Sequence, residues 1–171
     1  MNAQDDGTGE ARKMSRSIET VHQYLLPLPR EKVWGLLSDV STYRNWWPWL
    51  RVFDATALAA GEEWRCEVQP PVPYPVRFRV EIEHVEEAVQ VRANVVGDVV
   101  GEATLTLDET GSGCTATLDS SLAAGNTALR LVSRFAGPLA RFGHDWVLDS
   151  GARQFVTRAV EPLVGNETPP A

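Results

Sequence analysis

Apolar and polar residues alternate along several segments in the middle of the chain. In residues 64–68, Trp64, Cys66 and Val68 are separated by charged residues. Successive side chains of a β-strand point to opposite faces, so this period of two predicts a strand with one buried and one solvated face. The same alternation recurs in residues 76–83, 89–94, 99–108 and 114–122. Short turns between these segments, such as Gly97-Asp98, indicate an antiparallel meander.

The first part of the chain predicts one strand followed by two helices. Residues 18–26 form a strand candidate that ends at a proline. Pro29 suits the first position of a helix, because the N–H that it lacks would have no partner there. Residues 41–50 form a short aromatic segment in which Pro48 ends the helical conformation. Apolar residues recur at helical spacing between these two prolines, at Val33, Leu36, Leu37 and Val40.

The last predicted element is a long helix. Asn126 is a suitable N-cap, and the helix is expected to run to about Arg158 with a kink at Gly137-Pro138. Its apolar stripe comprises Leu131, Phe135, Leu139, Phe142 and Trp146. The predicted order is one strand, two helices, six strands, of which the alternation locates five, and a long helix, which is an α+β fold.

Composition indicates a single globular domain. The chain has 171 residues, of which 43% are apolar and 23% are charged, and this balance is typical of globular proteins. Residues 1–16 are polar and Gly-rich, and residues 161–171 contain three prolines. We therefore expect flexible tails at both ends of one domain that spans residues 17–160.

Charge and hydropathy exclude two kinds of partner. A net charge of −7 argues against nucleic acid, which is bound through clustered Lys and Arg. No apolar stretch reaches the roughly 18 to 20 residues that span a bilayer, so no transmembrane segment is expected. The acidic amino terminus does not have the pattern of a secretion signal, so we expect a cytoplasmic location. A monomer is the simplest expectation.

Two cysteines, Cys66 and Cys114, are present. Their spacing fits neither a zinc site nor a disulfide framework, so we expect two reduced, buried thiols. The sequence also contains no G-x-S-x-G elbow, no Gly-rich phosphate loop and no His/Cys/Asp cluster at metal-ligand spacing. Hydrolase and nucleotide-binding functions therefore have no support, and neither a metal nor a cofactor is expected.

Four segments, taken in order, resemble the helix-grip superfamily called SRPBCC or START-like, and within it the bacterial polyketide cyclase/dehydrase-like group. They are residues 33–40 leading into Trp46-Trp47-Pro48-Trp49, Gly97-Asp98-Val99-Val100-Gly101, the hairpin that ends near Leu122, and His144-Asp145-Trp146-Val147. The resemblance covers about residues 18–158. It implies a seven-stranded sheet curved around the last helix, with a cavity between them that is reached past the second short helix. The strands that carry Cys66 and Cys114 would not be neighbours.

The resemblance implies a cavity but no common reaction, because members of the superfamily bind lipids, sterols, hormones or polyketides, assist chaperones, or cyclise aromatic polyketides. We therefore expect a hydrophobic or aromatic small-molecule ligand that is lipid- or polyketide-like. One alternative is an aromatic polyketide cyclase or dehydratase that uses acid–base residues in the cavity. The other is a protein-interaction or chaperone-associated module.

The residues expected to contact the ligand are large and apolar. Trp46, Trp47 and Trp49 could form a lid over a flat ligand, because each indole offers a large contact area with few rotatable bonds. The alternative is that these rings fill the core. The other candidates are Trp64, Phe78, Val80, Val91, Leu105 and Leu118 on one parity of the strands, and Phe135, Phe142 and Trp146 on the last helix. Core packing and cavity lining produce the same pattern, so both interpretations stay open for the strand residues.

Three polar residues are candidates for acid–base chemistry or ligand orientation. His22 and Tyr24 lie on one parity of the first strand, where they could act as a hydrogen-bond donor and a proton shuttle. The opposite frame, with Val21 and Leu25 facing inward, is almost as good. Ser120 lies on the inward parity of the last strand, where a hydroxyl could orient a ligand.

Overall fold

The computed structural model describes residues 17–71, 73–125 and 137–166, except for the side chains of residues 137–145 and 166. Helices α1 (Arg30–Ser38) and α2 (Tyr43–Trp46) follow the first strand, with a 3-10 turn (Val40–Thr42) between them. The carboxy-terminal helix comprises α3 (Gly137–Phe155), a π-helical turn (Val156–Val160) and α4 (Glu161–Asn166). The strands are β1 (Ile18–Leu26), β2 (Leu50–Asp54), β3 (Glu63–Val68), β4 (Val76–Glu86), β5 (Gln90–Gly97), β6 (Val99–Thr110) and β7 (Gly113–Ala124).

The seven strands form one antiparallel sheet in the order β1-β7-β6-β5-β4-β3-β2. This confirms the predicted meander and the seven-stranded helix-grip sheet. The alternation did not locate β2, because Leu50 alone of its five side chains is buried. β2 is an edge strand that pairs with β3, and its register shifts between Leu50 and Val52.

The pairing of β1 with β7 determines which side chains of β1 face inward. Tyr24 lies opposite Ala116 and His22 lies opposite Leu118. Val21 and Leu25 are 63% and 80% exposed, whereas every second residue from Ile18 to Leu26 is at least half-buried. The frame that turns His22 and Tyr24 inward is therefore the correct one.

Helix α1 begins one residue later than the proline pattern predicted. Pro29 occupies the N-cap, and its carbonyl accepts hydrogen bonds from the N–H groups of Lys32 and Val33. The Arg30 N–H donates to the carboxylate of Glu109 at 3.1 Å, so a β6 side chain satisfies one of the free N–H groups of the first turn. This contact holds α1 against the end of the β6–β7 hairpin, and Val33 is fully buried in the core.

The carboxy-terminal helix extends past Arg158, where the sequence pattern ended it, and past residue 160, where we placed the domain boundary. The π-helical turn contributes two buried side chains, Ala159 and Val160. The kink expected at Gly137-Pro138 stays a prediction, because residues 126–136 lie outside the described residues. The described residues do not include residues 1–16 and 167–171, Phe135, or the side chain of Phe142.

Within the described part of the chain, no helix is long and apolar enough to cross a membrane.

Both cysteines are free and buried. Cys66 lies on β3 and Cys114 on β7, and the strands β4, β5 and β6 separate them in the sheet. The prediction that the two thiols are not on neighbouring strands is confirmed.

Candidate functional site

A cavity lies between the inner face of the sheet and the carboxy-terminal helix. It has two lobes, one of about 270 Å³ that borders α3 and one of about 320 Å³ that borders strands β3 to β6. We call them the helix lobe and the sheet lobe. Six residues line both lobes and so form their common boundary: Leu37, Trp47, Trp49, Leu105, Leu118 and Val147.

The helix lobe is lined by α3, by the inner faces of β1 and β7 and by α1. The contribution of the carboxy-terminal helix is Val147, Leu148, Gly151, Ala152, Phe155 and Val156. The predicted stripe ended at Trp146, which is rotated by about 100° from Val147 around the helix axis. Trp146 is not among the lining residues of either lobe, although its ring lies 6.2 Å from that of Trp49. The predicted stripe consists of large apolar residues, whereas the helix face that lines the lobe includes the small residues Gly151 and Ala152.

The sheet lobe is lined mainly by the inward parity of the strands. Its lining includes four of the predicted strand residues, Trp64, Phe78, Val80 and Val91. Leu105 and Leu118 line both lobes, so all six predicted strand residues border the cavity. The remaining lining residues are Tyr43, Leu50, Phe53, Leu58, Cys66, Val68, Ile82, Ala93 and Ala103.

The three tryptophans of the aromatic segment do not share one role. Trp47 and Trp49 line both lobes, and their indole N–H groups donate to the Gly151 carbonyl at 2.9 Å and to the Gln154 side-chain oxygen at 3.0 Å. Trp46 does not line the cavity. It is 6% exposed and packs edge-on against Phe155, with 5.2 Å between ring centroids. The prediction that Trp46 contacts the ligand therefore has no support from the geometry.

A second set of hydrogen bonds joins the aromatic segment to the carboxy-terminal helix. The Arg158 guanidinium donates to the carbonyl oxygens of Asn45 at 3.2 Å and Trp46 at 2.8 Å. These carbonyls belong to the last residues of α2, which have no partner within so short a helix. Together with the indole bonds, they hold the segment against the helix as a wall of the cavity.

The polar groups of the lining are few, and most are already bonded within the protein. The Trp64 indole N–H donates to the Ala57 carbonyl at 2.8 Å, and the Tyr43 hydroxyl donates to the Leu37 carbonyl at 2.6 Å. Burial raises the pKa of the Cys66 thiol to about 12, so this thiol stays protonated and is a poor nucleophile. The part of the cavity lining that the structure describes is therefore mainly apolar.

Tyr24 is the exception. Its hydroxyl is buried and has no hydrogen-bond partner among the described residues. Burial, and then the nearby carboxylate of Asp149, raise the pKa of Tyr24, so the phenol stays protonated in the neutral range. The ring stacks on His22 with 6.2 Å between centroids, and His22 Nδ1 lies 3.9 Å from Asp149 Oδ1. Tyr24, His22 and Asp149 thus meet at one side of the helix lobe.

The other two polar candidates face inward but do not line the cavity. Ser120 is 4% exposed, and its hydroxyl lies 2.9 Å from that of Thr20 on the neighbouring strand. His22 contacts Tyr24 and approaches Asp149, yet it is not among the lining residues of either lobe. Of the three candidates, Tyr24 is the one that an occupant of the cavity can touch.

Solved structures with the same architecture come from bacteria and plants. A protein from Thermus thermophilus is 17% identical, with a TM-score of 0.64 over 83% of this chain and 99% of that chain. The START superfamily protein from Mycobacterium smegmatis is 15% identical, with a TM-score of 0.64 over 86% of this chain and 98% of that chain. Norcoclaurine synthase from Thalictrum flavum, solved with dopamine and hydroxybenzaldehyde, is 12% identical, with a TM-score of 0.54 over 84% and 90% of the two chains. At such identities the similarity concerns the fold alone.

The sequence gives a finer assignment than these structures do. No protein of curated function matches it significantly. The model of the family described as polyketide cyclase/dehydrase and lipid transport matches residues 17–160, which include every described strand, α1, α2, α3 and the whole cavity lining. The chain therefore belongs to the polyketide cyclase/dehydrase and lipid transport family.

Proposed function

We propose that the protein binds a hydrophobic or aromatic small molecule, lipid- or polyketide-like, in the two-lobed cavity. The observation that carries this proposal is the pair of adjoining lobes of about 270 and 320 Å³ with an apolar lining. Ligand pockets typically measure about 300–1,000 Å³ and carry a small number of polar groups. Voids of this size are unusual in protein interiors, which are otherwise close-packed.

The walls of the cavity also favour binding of a flat ligand. Trp47 and Trp49 present large aromatic surfaces to both lobes, and their indole hydrogen bonds hold them in one orientation. A preformed aromatic surface loses little conformational entropy when a ligand binds. The family description, which includes lipid transport, agrees with this function.

A cyclase or dehydratase activity is the second candidate. The observation in its favour is the buried hydroxyl of Tyr24, because a protonated phenol beside a cavity can serve as a general acid. The imidazole of His22 stacks on the Tyr24 ring but makes no hydrogen bond to its hydroxyl, so a return of the proton from His22 would require a bridging group. Ligand binding remains the first proposal because it requires only the cavity, whereas catalysis also requires a substrate placed against Tyr24.

Titration with 2-acetylnaphthalene tests the binding proposal through the indole 1H–15N signals of the tryptophans. We expect saturable shifts at Trp47, Trp49 and Trp64, which line the cavity, with a dissociation constant on the order of 10 μM for a ligand of this size. Trp34 is buried but does not line either lobe, so its signal serves as the internal control. If the three lining indoles fail to respond to this probe and to fatty alcohols and sterols, the proposal is wrong.

A further inference from the structure

Gly151 is a glycine in the interior of the carboxy-terminal helix, where it lines the helix lobe. After proline, glycine is the least favourable residue inside a helix, because it loses the most backbone entropy on folding. Gly151 does not have a positive φ, in contrast to Gly101 on β6. The conformation of the chain therefore does not require a glycine at this position.

Packing does not require a glycine there either. A Cβ atom at Gly151 would lie 3.6 Å from Trp49 Cζ2 and 3.8 Å from Trp47 Nε1, which are ordinary van der Waals distances. At Gly101, in contrast, the same atom would overlap the backbone carbonyl of Ser121. Room for a methyl group is therefore open at Gly151, among three residues that line the helix lobe. We call this space the Gly151 gap.

Hydrogen bonds hold the walls of the Gly151 gap in place. The Trp47 indole N–H donates to the Gly151 carbonyl at 2.9 Å, and the Trp49 indole N–H donates to Gln154 Oε1 at 3.0 Å. The two indole rings are tilted by 31°, with 6.1 Å between their centroids. One wall is therefore helix main chain and the other consists of two anchored rings. A rigid ligand loses little conformational entropy on entering such a preformed gap, whereas a flexible chain loses more.

We infer that Gly151 is a specificity-determining residue that admits a rigid, flat ring system to the helix lobe. The edge of the ring lies against the helix main chain at Gly151, beside Trp47 and Trp49. A methyl group at this position would hold a rigid ring away from the helix, whereas an alkyl chain would bend around it. The inference rests on the proposed binding function and makes it more specific, because it assigns the gap to fused rings and not to fatty-acyl chains.

Gly151→Ala tests this inference, because it fills the gap with one methyl group. The probes are 2-acetylnaphthalene and 2-dodecanone, two methyl ketones of equal carbon number, of which the first is flat and rigid and the second is flexible. Isothermal titration calorimetry with the protein in the syringe measures both affinities. The affinity for 2-acetylnaphthalene is expected to fall about 5- to 20-fold, as for an extra methyl group in a packed site. The affinity for 2-dodecanone should change by less than about twofold.

Gly35→Ala is the matched control. Gly35 lies inside α1, does not line either lobe, and would have no atom within 4 Å of an added Cβ. Because alanine favours the helix, both substitutions should raise the thermal midpoint by about 2–4 °C. Only Gly151→Ala should change the ratio of the two affinities. A gain in stability together with a loss of affinity identifies binding space, since disrupted packing would lower both.

The outcomes separate this inference from the binding proposal. If Gly151→Ala binds 2-acetylnaphthalene with wild-type affinity, or is less stable than wild type, the role of Gly151 is refuted and the binding proposal stands. If both ketones lose affinity by the same factor, the selection of rigid rings is refuted. If wild type binds neither ketone, this inference fails, and the tryptophan titration with fatty alcohols and sterols decides the binding proposal separately.

Discussion

Replacement of Leu118 by Trp is expected to abolish ligand binding without unfolding the protein. Leu118 lies on β7 opposite Leu105, and both side chains line both lobes. An indole at this position would occupy the common boundary of the lobes, so neither could accept a ligand that extends into the other. We expect the affinity for 2-acetylnaphthalene to fall at least about 100-fold, which corresponds to about 2.7 kcal/mol.

Stability distinguishes a blocked cavity from a damaged core. Overpacking of a filled core costs about 1–3 kcal/mol, whereas an indole that enters open space should change the free energy of unfolding in urea by less than about 1 kcal/mol. Thr117→Trp is the matched control, because Thr117 lies on the opposite face of the same strand and does not line the cavity. Wild-type affinity in Leu118→Trp would contradict the assignment of this residue to the binding site.

Replacement of Gly101 by Ala should destabilise the fold by about 3 kcal/mol, which is at the upper end of what one strained residue costs. Gly101 has a φ of +145°, a conformation that favours glycine, and a Cβ atom there would overlap the backbone carbonyl of Ser121 on β7. Backbone atoms of a paired strand cannot move aside as a flexible side chain could. The register of β6 on β7 would have to change to relieve the overlap.

The effect of Gly101→Ala is measured by urea unfolding, with Gly111→Ala as the control. Gly111 lies in the β6–β7 hairpin turn, and a Cβ atom there would meet nothing within 4 Å. Its replacement should change stability by less than about 0.5 kcal/mol. Equal effects of the two substitutions would contradict the close approach at Gly101. Because β6 and β7 carry Leu105 and Leu118, the Gly101 variant should also bind ligand more weakly.

The sequence predicted best those strands in which every second side chain faces the buried side of the sheet. Trp64, Phe78 and Val91 lie where the alternation placed them, and they border the cavity. Whether such residues line a cavity or fill a core depends on the distance between the sheet and the helix. No local sequence pattern determines that distance. β2 gave no signal, because an edge strand with one buried side chain has no alternation to detect.

Two parts of the candidate site depend on contacts between distant residues. The face of the carboxy-terminal helix that lines the cavity includes Gly151 and Ala152, and a Cβ atom at Gly151 would lie in van der Waals contact with the rings of Trp47 and Trp49. A search for large apolar residues therefore selected the neighbouring face, which includes Trp146. Such complementarity of small and large side chains arises from packing and has no local pattern in the sequence.

The polar candidates illustrate the same limit of local patterns. Parity indicated correctly that Tyr24 and Ser120 face inward, but it contains no information about their partners. Ser120 bonds to Thr20, which is 100 residues away in the chain, whereas the Tyr24 hydroxyl has no described partner. The pairing of β1 with β7 decides this difference, since it places Thr20 beside Ser120 and the small Ala116 beside Tyr24.

The most direct test of the ligand site is the set of intermolecular NOEs between bound 2-acetylnaphthalene and the methyl groups of selectively labelled protein. We expect NOEs to Leu105, Leu118 and Val147, which line both lobes between the sheet and the helix. The outer face of β1 offers an alternative apolar surface at Val21 and Leu25. NOEs to these two residues, with none to the three lining residues, would contradict binding in the cavity.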